Sequence, residues 1–219
     1  MEEKTECGMN RGLIVTGGFC NVERLRPRAG ELRGAGECFV VAADSGLVTA
    51  RALGIEPDLV VGDFDSYGGP LPENVEILRV PAEKDVTDTV LACEIAVERG
   101  CNSLTILGGT GGRADHSLAN ILWVYSLKRK GIETVLTDGD NEFRALIDEA
   151  AGIPYEEGRY FSLFPIGPCA VRAVGCRYPL PEFTELTLDN PSYAVSNEVA
   201  GEKAVVEVRG ALLLVRSRK

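Results

Sequence analysis

The hydrophobic residues in the first two thirds of the chain form short β-branched runs, separated by segments with helical spacing. Several runs are apolar at consecutive positions, which is typical of strands buried on both faces of a parallel sheet. The predicted strands are Leu13–Thr16, Cys38–Ala43, Asp58–Gly62, Val75–Val80, Ser103–Leu107 and Glu133–Thr137. Helical spacing predicts helices over 45–54, 87–99 and 115–130, which Gly54, Gly100 and Gly131 should end. Alternating strands and helices predict an α/β fold, in which right-handed connections place helices over a sheet.

Beyond about residue 145 the pattern changes to short apolar runs separated by turn residues, and helical spacing disappears. This pattern favours a smaller antiparallel β-sandwich. Its predicted strands cover 160–164, 170–174, 186–188, 193–196, 203–208 and 211–215. We therefore expect an N-terminal α/β domain with a mostly parallel sheet and flanking helices over residues 1–144. The sandwich domain should cover 145–219, and the two should join near 138–158.

The net charge of −10 is unevenly distributed, because all the excess acid precedes Ala151. An acidic surface repels nucleic acid and anionic membranes, whereas clustered carboxylates suit divalent cations. No apolar run is long enough to span a bilayer, and the start shows no signal-peptide pattern. We therefore expect a cytoplasmic protein that has no nucleic-acid or membrane partner.

The seven cysteines are scattered and contain no Cys-x-x-Cys pair. This spacing indicates free thiols and argues against a zinc site or a disulfide framework. The chain has a single histidine, His116, so any Ser-His or Cys-His nucleophile would depend on it. As a lone histidine on a predicted helix, His116 is interpreted as structural rather than as a proton carrier.

Two aspartates, Asp63 and Asp65, follow a predicted strand at its carboxyl end, where open α/β sheets form ligand sites. Neighbouring carboxylates repel each other unless a cation lies between them, and Mg²⁺ prefers such oxygen ligands. The alternative is an acidic turn without a ligand, because Asp and Ser are common in turns.

A second cluster, Glu83–Asp88, opens the predicted helix at 87–99. Asp or Thr at this point would cap the helix, and Asp88 would interact favourably with the helix dipole. Capping leaves Lys84 unexplained, whereas a lysine at a helix N terminus suits a polyphosphate.

The third segment is Gly108–Gly112, here called the glycine loop, which Arg113 follows at the start of a long predicted helix. Four glycines in five residues let the backbone approach a large anion closely, and Arg113 with the helix dipole adds positive potential. The Walker and dinucleotide-binding patterns are both absent. A tight turn is the alternative interpretation of the loop.

The three segments follow successive strands, so the topology places them at one edge of the sheet. Their residues, order and spacing strongly resemble the thiamine pyrophosphokinase family. The resemblance covers about residues 12–140, with a weaker match at Ser196–Glu198 and Gly210. The matching positions are Ala43–Gly46, Pro57–Asp58, Gly62–Ser66, Glu83–Asp88, Gly108–His116 and Asn120.

The resemblance implies transfer of diphosphate from ATP to the hydroxyl of thiamine, with Mg²⁺ assisting in-line attack on the β-phosphorus and AMP leaving. It also implies a homodimer whose active sites lie at the subunit interface. The catalytic residues that it implies are Asp63, Asp65 and Asp85, as magnesium ligands, with Lys84 and Arg113. The implied ATP-binding residues are Asp44, Ser66, Thr87, Asp88, Gly109, Gly111, Gly112, Arg113, Asp115 and Asn120. The implied thiamine-binding residues are Ser196 and Asn197.

The sequence departs from the family at two places. Ser45 stands where a glycine commonly follows the aspartate of the first loop, and the predicted sandwich lacks the tryptophan that eukaryotic members place against thiamine; Trp123 is the chain's only tryptophan. The ATP half is therefore better supported than the thiamine half. Alternatives are a related diphosphokinase with another hydroxymethyl heterocycle such as a pterin, and a non-catalytic nucleotide-binding dimer. A metal-dependent sugar transferase would leave the second and third segments without a role.

Overall fold

The structure is a computed structural model of the chain, and it describes residues 10–34, 38–64, 67–81, 83 and 85–219. The chain divides into two compact units. The first comprises the described residues up to Asn120 together with Gly131–Gly139, and the second comprises Ile121–Lys130 together with Asp140–Lys219. Each unit has its own hydrophobic core.

The first unit is built on a parallel sheet, because every pairing among its strands is parallel. The strands lie in the order β6-β5-β1-β2-β3-β4. Most residues of the central strands β1, β2 and β3 are buried, as the apolar runs within them predict. The strands are β1 (Arg11–Val15), β2 (Cys38–Ala43), β3 (Leu59–Gly62), β4 (Glu76–Arg79), β5 (Ser103–Leu107) and β6 (Glu133–Thr137).

Helices connect most of these strands: α1 (Val22–Gly34), α2 (Gly46–Leu53), α3 (Asp88–Glu98) and α4 (Ala114–Arg129). The division between the units falls within α4, after Asn120. Left-handed glycines follow α2, α3 and α4 at positions 54, 100 and 131, which confirms the predicted helix ends. Among the described residues, no helix is both apolar enough and long enough to cross a membrane.

The second unit consists mainly of antiparallel strands, dominated by two that are each 16 residues long. The strands are β7 (Asn141–Ile147), β8 (Ala150–Pro154), β9 (Arg159–Val174), β10 (Leu180–Leu186) and β11 (Lys203–Arg218). Strand β9 pairs with β10 and β11, and β11 also pairs with β7 and β8. The parallel sheet with helices and the C-terminal antiparallel strand region confirm the predicted fold class.

A change of register at Gly210 lets the second unit close around its core. The first part of β11 pairs with β8, the last part pairs with β7, and the register against β9 shifts between Gly210 and Leu212. Both parts contribute to one buried cluster, for example through Val206 and Leu214. Gly210 has a φ of +91°, a conformation that glycine adopts without strain.

Several segments differ from the sequence-based expectations. The expected junction at 138–158 contains the strands β7 and β8, and the expected strand at 193–196 is a turn that leads to Ser196 with a φ of +60°. Helix α1 was not predicted, because Pro27 lies inside it and proline disfavours helix interiors. The separate strands expected at 160–164 and 170–174 are one strand, β9.

Replacing Gly210 tests the change of register in β11. Gly210→Ala should lower the free energy of unfolding by about 2 kcal/mol or more, because a Cβ would lie 2.2 Å from the Pro168 carbonyl oxygen at a left-handed φ. Urea denaturation measures the change. The matched control is Gly167→Ala, since a Cβ there meets no atom within 4 Å. An equal loss of unfolding free energy in Gly210→Ala and Gly167→Ala would contradict the strain expected for a side chain at Gly210.

Candidate active site

The carboxyl ends of the strands of the first unit surround a cavity of about 730 Å³. Strand β1 lies between β2 and β5, and the chain proceeds outward from β1 in both directions. This reversal of strand order is the place where open α/β sheets bind ligands. The lining residues are Thr16–Phe19, Ala43–Ser45, Asp63, Asp85–Thr89, Gly108, Gly109, Gly111–Arg113, His116 and Asn120.

The loop that follows β1 is tied to the loop that follows β5. The Thr16 hydroxyl donates to the Leu107 carbonyl at 3.0 Å, and the Phe19 N–H donates to the Thr110 carbonyl at 2.7 Å. A Cβ at Gly18 would lie 1.9 Å from the Gly108 carbonyl oxygen, so only glycine fits. The two backbones therefore form one continuous wall of the cavity.

Three glycines of the glycine loop hold left-handed backbone, which glycine adopts without strain. Gly108, Gly111 and Gly112 have φ values of +74°, +79° and +71°. The buried Asn120 donates from Nδ2 to the Gly109 carbonyl at 2.9 Å, which fixes the loop against α4. Within the described part of the chain the buried Asn120 Oδ1 has no hydrogen-bond partner. A buried acceptor of this kind usually indicates a missing donor from a ligand or water.

Four carboxylates line the cavity: Asp44 after β2, Asp63 after β3, and Asp85 and Asp88 after β4. Asp65, which the sequence predicts as a ligand beside them, lies outside the described residues. Within the described residues, no three carboxylate, histidine or cysteine side chains are grouped closely enough to hold a metal ion. The donors that line the cavity are nevertheless oxygens, which fit a hard cation such as Mg²⁺.

Two residues of this edge hold left-handed backbone although they are not glycines. Asp44 has a φ of +48° and Phe64 has a φ of +61°. Such conformations cost of order 1 kcal/mol or more and persist where the surrounding structure enforces them. The Asp44 N–H donates to the Val61 carbonyl at 2.8 Å, and a Cβ at Gly62 would lie 3.1 Å from Asp44 Cα. The strand ends thus fix Asp44 against Gly62.

The N terminus of α3 faces the cavity. Thr87 is its N-cap, and its hydroxyl accepts from the Val90 N–H at 3.3 Å, which confirms the capping interpretation. Asp88 is the first helical residue. The free N–H groups of a helix N terminus and its dipole favour a bound anion. Lys84, which the sequence places just before this helix, lies outside the described residues, as does Ser66.

Arg113 and Asp115 form an exposed ion pair, with Arg113 Nη2 2.6 Å from Asp115 Oδ2 and Nε donating to Oδ1 at 3.1 Å. Hydrogen bonds from Arg113 lower the pKa of Asp115 to about 2, and the same hydrogen bonds raise the pKa of Arg113. Arg113 lines the cavity whereas Asp115 does not. His116 also lines it, and its backbone N–H donates to Asp115 at 3.0 Å.

Cys20 lies beside the glycine loop, where a Cβ at Gly108 would be 2.6 Å from its sulfur. Burial, with a smaller contribution from the nearby Asp138, raises the pKa of Cys20 to about 11. A thiol with this pKa stays protonated near neutral pH and is a poor nucleophile. No two of the described cysteines form a disulfide.

The predicted thiamine residues Ser196 and Asn197 belong to the second unit. The Asn197 side chain holds the backbone of Tyr178, accepting from its N–H at 3.0 Å and donating to its carbonyl at 2.8 Å. Ser196 is left-handed, with a φ of +60°, and its N–H donates to the Ser162 hydroxyl at 3.0 Å. The two residues thus form an ordered turn that fixes the exposed Tyr178.

The first unit brings together most of the residues that the sequence singles out. They are Asp44, Asp63, Asp85, Thr87, Asp88, Gly109, Gly111, Gly112, Arg113 and Asn120. The loop after β1, Thr16–Phe19, also lines the cavity and lies outside the residues that the sequence singles out. Its signal is the pair Gly17-Gly18 directly after a buried apolar strand, the same arrangement that identified the glycine loop.

The Arg113–Asp115 pair predicts a pH dependence. NMR titration of the Asp115 carboxyl should give a midpoint near 2, and Arg113→Ala should return it toward the ordinary value of about 3.9. Because the folded pKa is lowered, the pair contributes stability above about pH 3.9 and loses it as the pH falls toward 2. Arg129→Ala is the control, and an unchanged midpoint in Arg113→Ala would contradict the pairing.

Comparison with known proteins gives matches over both units. Residues 35–136 match the family "Thiamin pyrophosphokinase, catalytic domain", and residues 147–213 match "Thiamin pyrophosphokinase, vitamin B1 binding domain". The thiamine pyrophosphokinase of Bacillus subtilis (strain 168) is 33% identical over 186 residues, which are 81% of this chain and 86% of that protein.

Solved structures give the same result. The crystal structure of thiamine pyrophosphokinase from Bacillus subtilis superposes with a TM-score of 0.79 at 28% identity, covering 96% of this chain and all of that chain. The enzyme from Geobacillus thermodenitrificans gives a TM-score of 0.78 at 25% identity, covering 95% of this chain and 98% of that chain. Yeast thiamin pyrophosphokinase, at 14% identity and a TM-score of 0.72, shares the fold; the match covers 97% of this chain and 87% of that one.

Proposed function

The chain belongs to the thiamin pyrophosphokinase family and is an enzyme, and from this premise we propose that it transfers diphosphate from ATP to thiamine. The products are thiamine diphosphate and AMP. The observation that carries the proposal is the cavity of the first unit, which combines four carboxylates, a helix N terminus and the glycine loop. Carboxylates and a helix N terminus together suit a polyphosphate bound with a cation.

Asp63, Asp85 and Asp65 are the residues that would hold Mg²⁺. The oxygen donors of the cavity fit that ion, and the acidic first part of the chain favours cations. When bound, Mg²⁺ neutralises phosphate oxygens and so favours attack on phosphorus.

ATP would lie along the glycine loop and the N terminus of α3. The backbone of the loop offers close approach because Gly109, Gly111 and Gly112 carry no side chains. Arg113 and Lys84 would stabilise charge on the phosphates, and Asn120 would fix the loop. The further proposed ATP contacts are Asp44, Ser66, Thr87, Asp88 and Asp115.

The reaction is an in-line displacement at the β-phosphorus. The thiamine hydroxyl oxygen forms a bond to that phosphorus, the bridge to the α-phosphate breaks, and AMP leaves with the bridging oxygen. The hydroxyl loses its proton in the process. A carboxylate with a pKa near 2 is a weak proton acceptor, so Asp115 is a poor general base while it is paired with Arg113. This favours an aspartate inside the cavity or solvent as the acceptor.

We assign the ATP and magnesium chemistry to residues 1–144 and thiamine binding to residues 145–219, with Ser196 and Asn197 in contact with thiamine. The vitamin B1 binding match at 147–213 supports the second assignment. A homodimer with active sites at the subunit interface and a cytoplasmic location stay predictions from the sequence. Gel filtration with light scattering tests the dimer.

Product analysis tests the proposed reaction. Purified protein incubated with ATP, Mg²⁺ and thiamine should form AMP and thiamine diphosphate in equal amounts, which chromatography quantifies. Reactions without thiamine, and with a hydroxymethyl pterin in its place, are the controls. AMP formed only with the pterin would establish the alternative diphosphokinase, and nucleotide binding without turnover on either acceptor would indicate a binding protein.

Removing one carboxylate tests the proposed metal ligands. Asp85→Asn should lower kcat at least ~100-fold, because loss of a ligand to a catalytic cation removes several kcal/mol of transition-state stabilisation. Asp65→Asn should lower kcat by a similar factor. Glu73→Gln, an exposed acid outside the cavity, is the matched control and should keep full activity. Near-normal turnover in both aspartate variants, with unchanged unfolding temperature, would contradict the assignment.

A further inference from the structure

The side chain of Phe19 is exposed at the cavity although it is large and apolar. Its exposed fraction is 56%, and it is the only Phe, Tyr or Trp among the described residues that line the cavity. The other non-glycine lining residues are polar or charged, apart from Ala43 and Val86. An aromatic ring exposed to water gains no free energy from burial of its apolar surface. Stacking against a ring of a ligand would bury that surface.

The backbone of Phe19 is held on both sides. Its N–H donates to the Thr110 carbonyl at 2.7 Å, and the Thr110 hydroxyl donates to Asp138 at 2.7 Å. Two residues later, the Asn21 N–H donates to the Asp138 carbonyl at 2.8 Å. Gly111 leaves room for the side chain, since a Cβ there would lie 2.5 Å from Phe19 Cβ. The ring is therefore presented from a fixed backbone.

The position of Phe19 favours the nucleotide over the acceptor. The backbone of Phe19 pairs with Thr110 of the glycine loop, on the side of the cavity where β1 and β5 lie. Asp63 and Asp85 follow β3 and β4, which lie two and three strands from β1, or roughly 10 Å and roughly 14 Å at the usual strand spacing. A nucleoside triphosphate whose phosphates point toward those carboxylates would extend its base toward the β1 loop.

We propose that Phe19 stacks on the purine base of the nucleotide and thereby positions ATP. The inference rests on the proposed function for its donor substrate, and it names a residue outside the set that the sequence singled out. Aromatic stacking tolerates every base, so Phe19 contributes affinity for nucleosides rather than discrimination among bases. The phosphate contacts remain with the glycine loop and the N terminus of α3.

The test compares a nucleotide with a ligand that has phosphates but no base. Calorimetry with Mg²⁺ measures binding of ADP and of inorganic tripolyphosphate to the wild type and to Phe19→Ala. The variant should bind ADP ~10-fold more weakly, the range expected for loss of one base–aromatic stack, and tripolyphosphate with unchanged affinity. In steady-state assays the KM for ATP should rise while the KM for thiamine stays the same.

Three further variants sharpen the result. Phe19→Tyr keeps the ring and should keep ADP affinity, whereas Phe19→Leu keeps apolar bulk without a ring and should weaken it. Tyr155→Ala removes an aromatic side chain that is 58% exposed and lies outside the cavity. This variant should bind ADP and tripolyphosphate with unchanged affinity. Because Phe19 is exposed, none of its variants should lower the unfolding temperature.

Several results would overturn the proposal. Equal weakening of ADP and tripolyphosphate would mean that Phe19 only shapes the loop, and unchanged ADP binding would mean that the ring makes no contact. A rise confined to the KM for thiamine would place the ring against the acceptor. A wild-type protein that binds neither ADP nor ATP would overturn the proposed function itself, which distinguishes that failure from the failure of Phe19 alone.

Discussion

The cavity depends on the close approach of the backbones that follow β1, β2 and β5. A Cβ at Gly18 would lie 1.9 Å from the Gly108 carbonyl oxygen, and a Cβ at Gly46 would lie 2.1 Å from the Val15 carbonyl oxygen. Both distances are far inside van der Waals contact, so these two glycines permit the loops to meet. The parallel strands bring the loops to one edge, and the glycines let them pack against each other there.

The sequence predicts those strands and loops of the cavity whose own residues form a clear pattern. Strands β2, β5 and β6 have the predicted bounds, and each contains β-branched residues, which favour strands. Asp44, Asp63 and the glycine loop directly follow β2, β3 and β5, so the strand pattern locates them. Their shared edge follows from parallel topology, without knowledge of any side-chain contact.

The features that the sequence analysis missed have weak or misleading local signals. Strand β8 alternates exposed and buried positions, but it consists of Ala, Gly, Ile and Pro, and three of these are poor strand formers. The segment 193–196 has the opposite character, since Tyr-Ala-Val-Ser suits a strand while the structure places a turn there. In both segments the tertiary partners, rather than the intrinsic preferences, decide the conformation. Residues Asp65, Ser66 and Lys84 lie outside the described residues, so their roles remain predictions.

Backbone strain is concentrated where the proposed chemistry lies. In the described part of the chain four non-glycine residues have positive φ: Asp44, Phe64, Asp148 and Ser196. Asp148 has a structural explanation, because its Oδ1 accepts from the Gly210 N–H at 2.7 Å and its own N–H donates to the Gly210 carbonyl at 3.0 Å. The other three belong to, or adjoin, segments that resemble the family's substrate-binding positions.

This distribution connects the fold to the proposed function. A left-handed aspartate or serine costs free energy of folding, and the strand ends and turns around it must supply that energy. In return the side chain is placed before a ligand arrives, so binding need not order it. For Asp44 the enforcing contacts are the Val61 carbonyl and Gly62, which are parts of the sheet itself. The same buried strands that stabilise the first unit therefore hold its cavity in a fixed geometry.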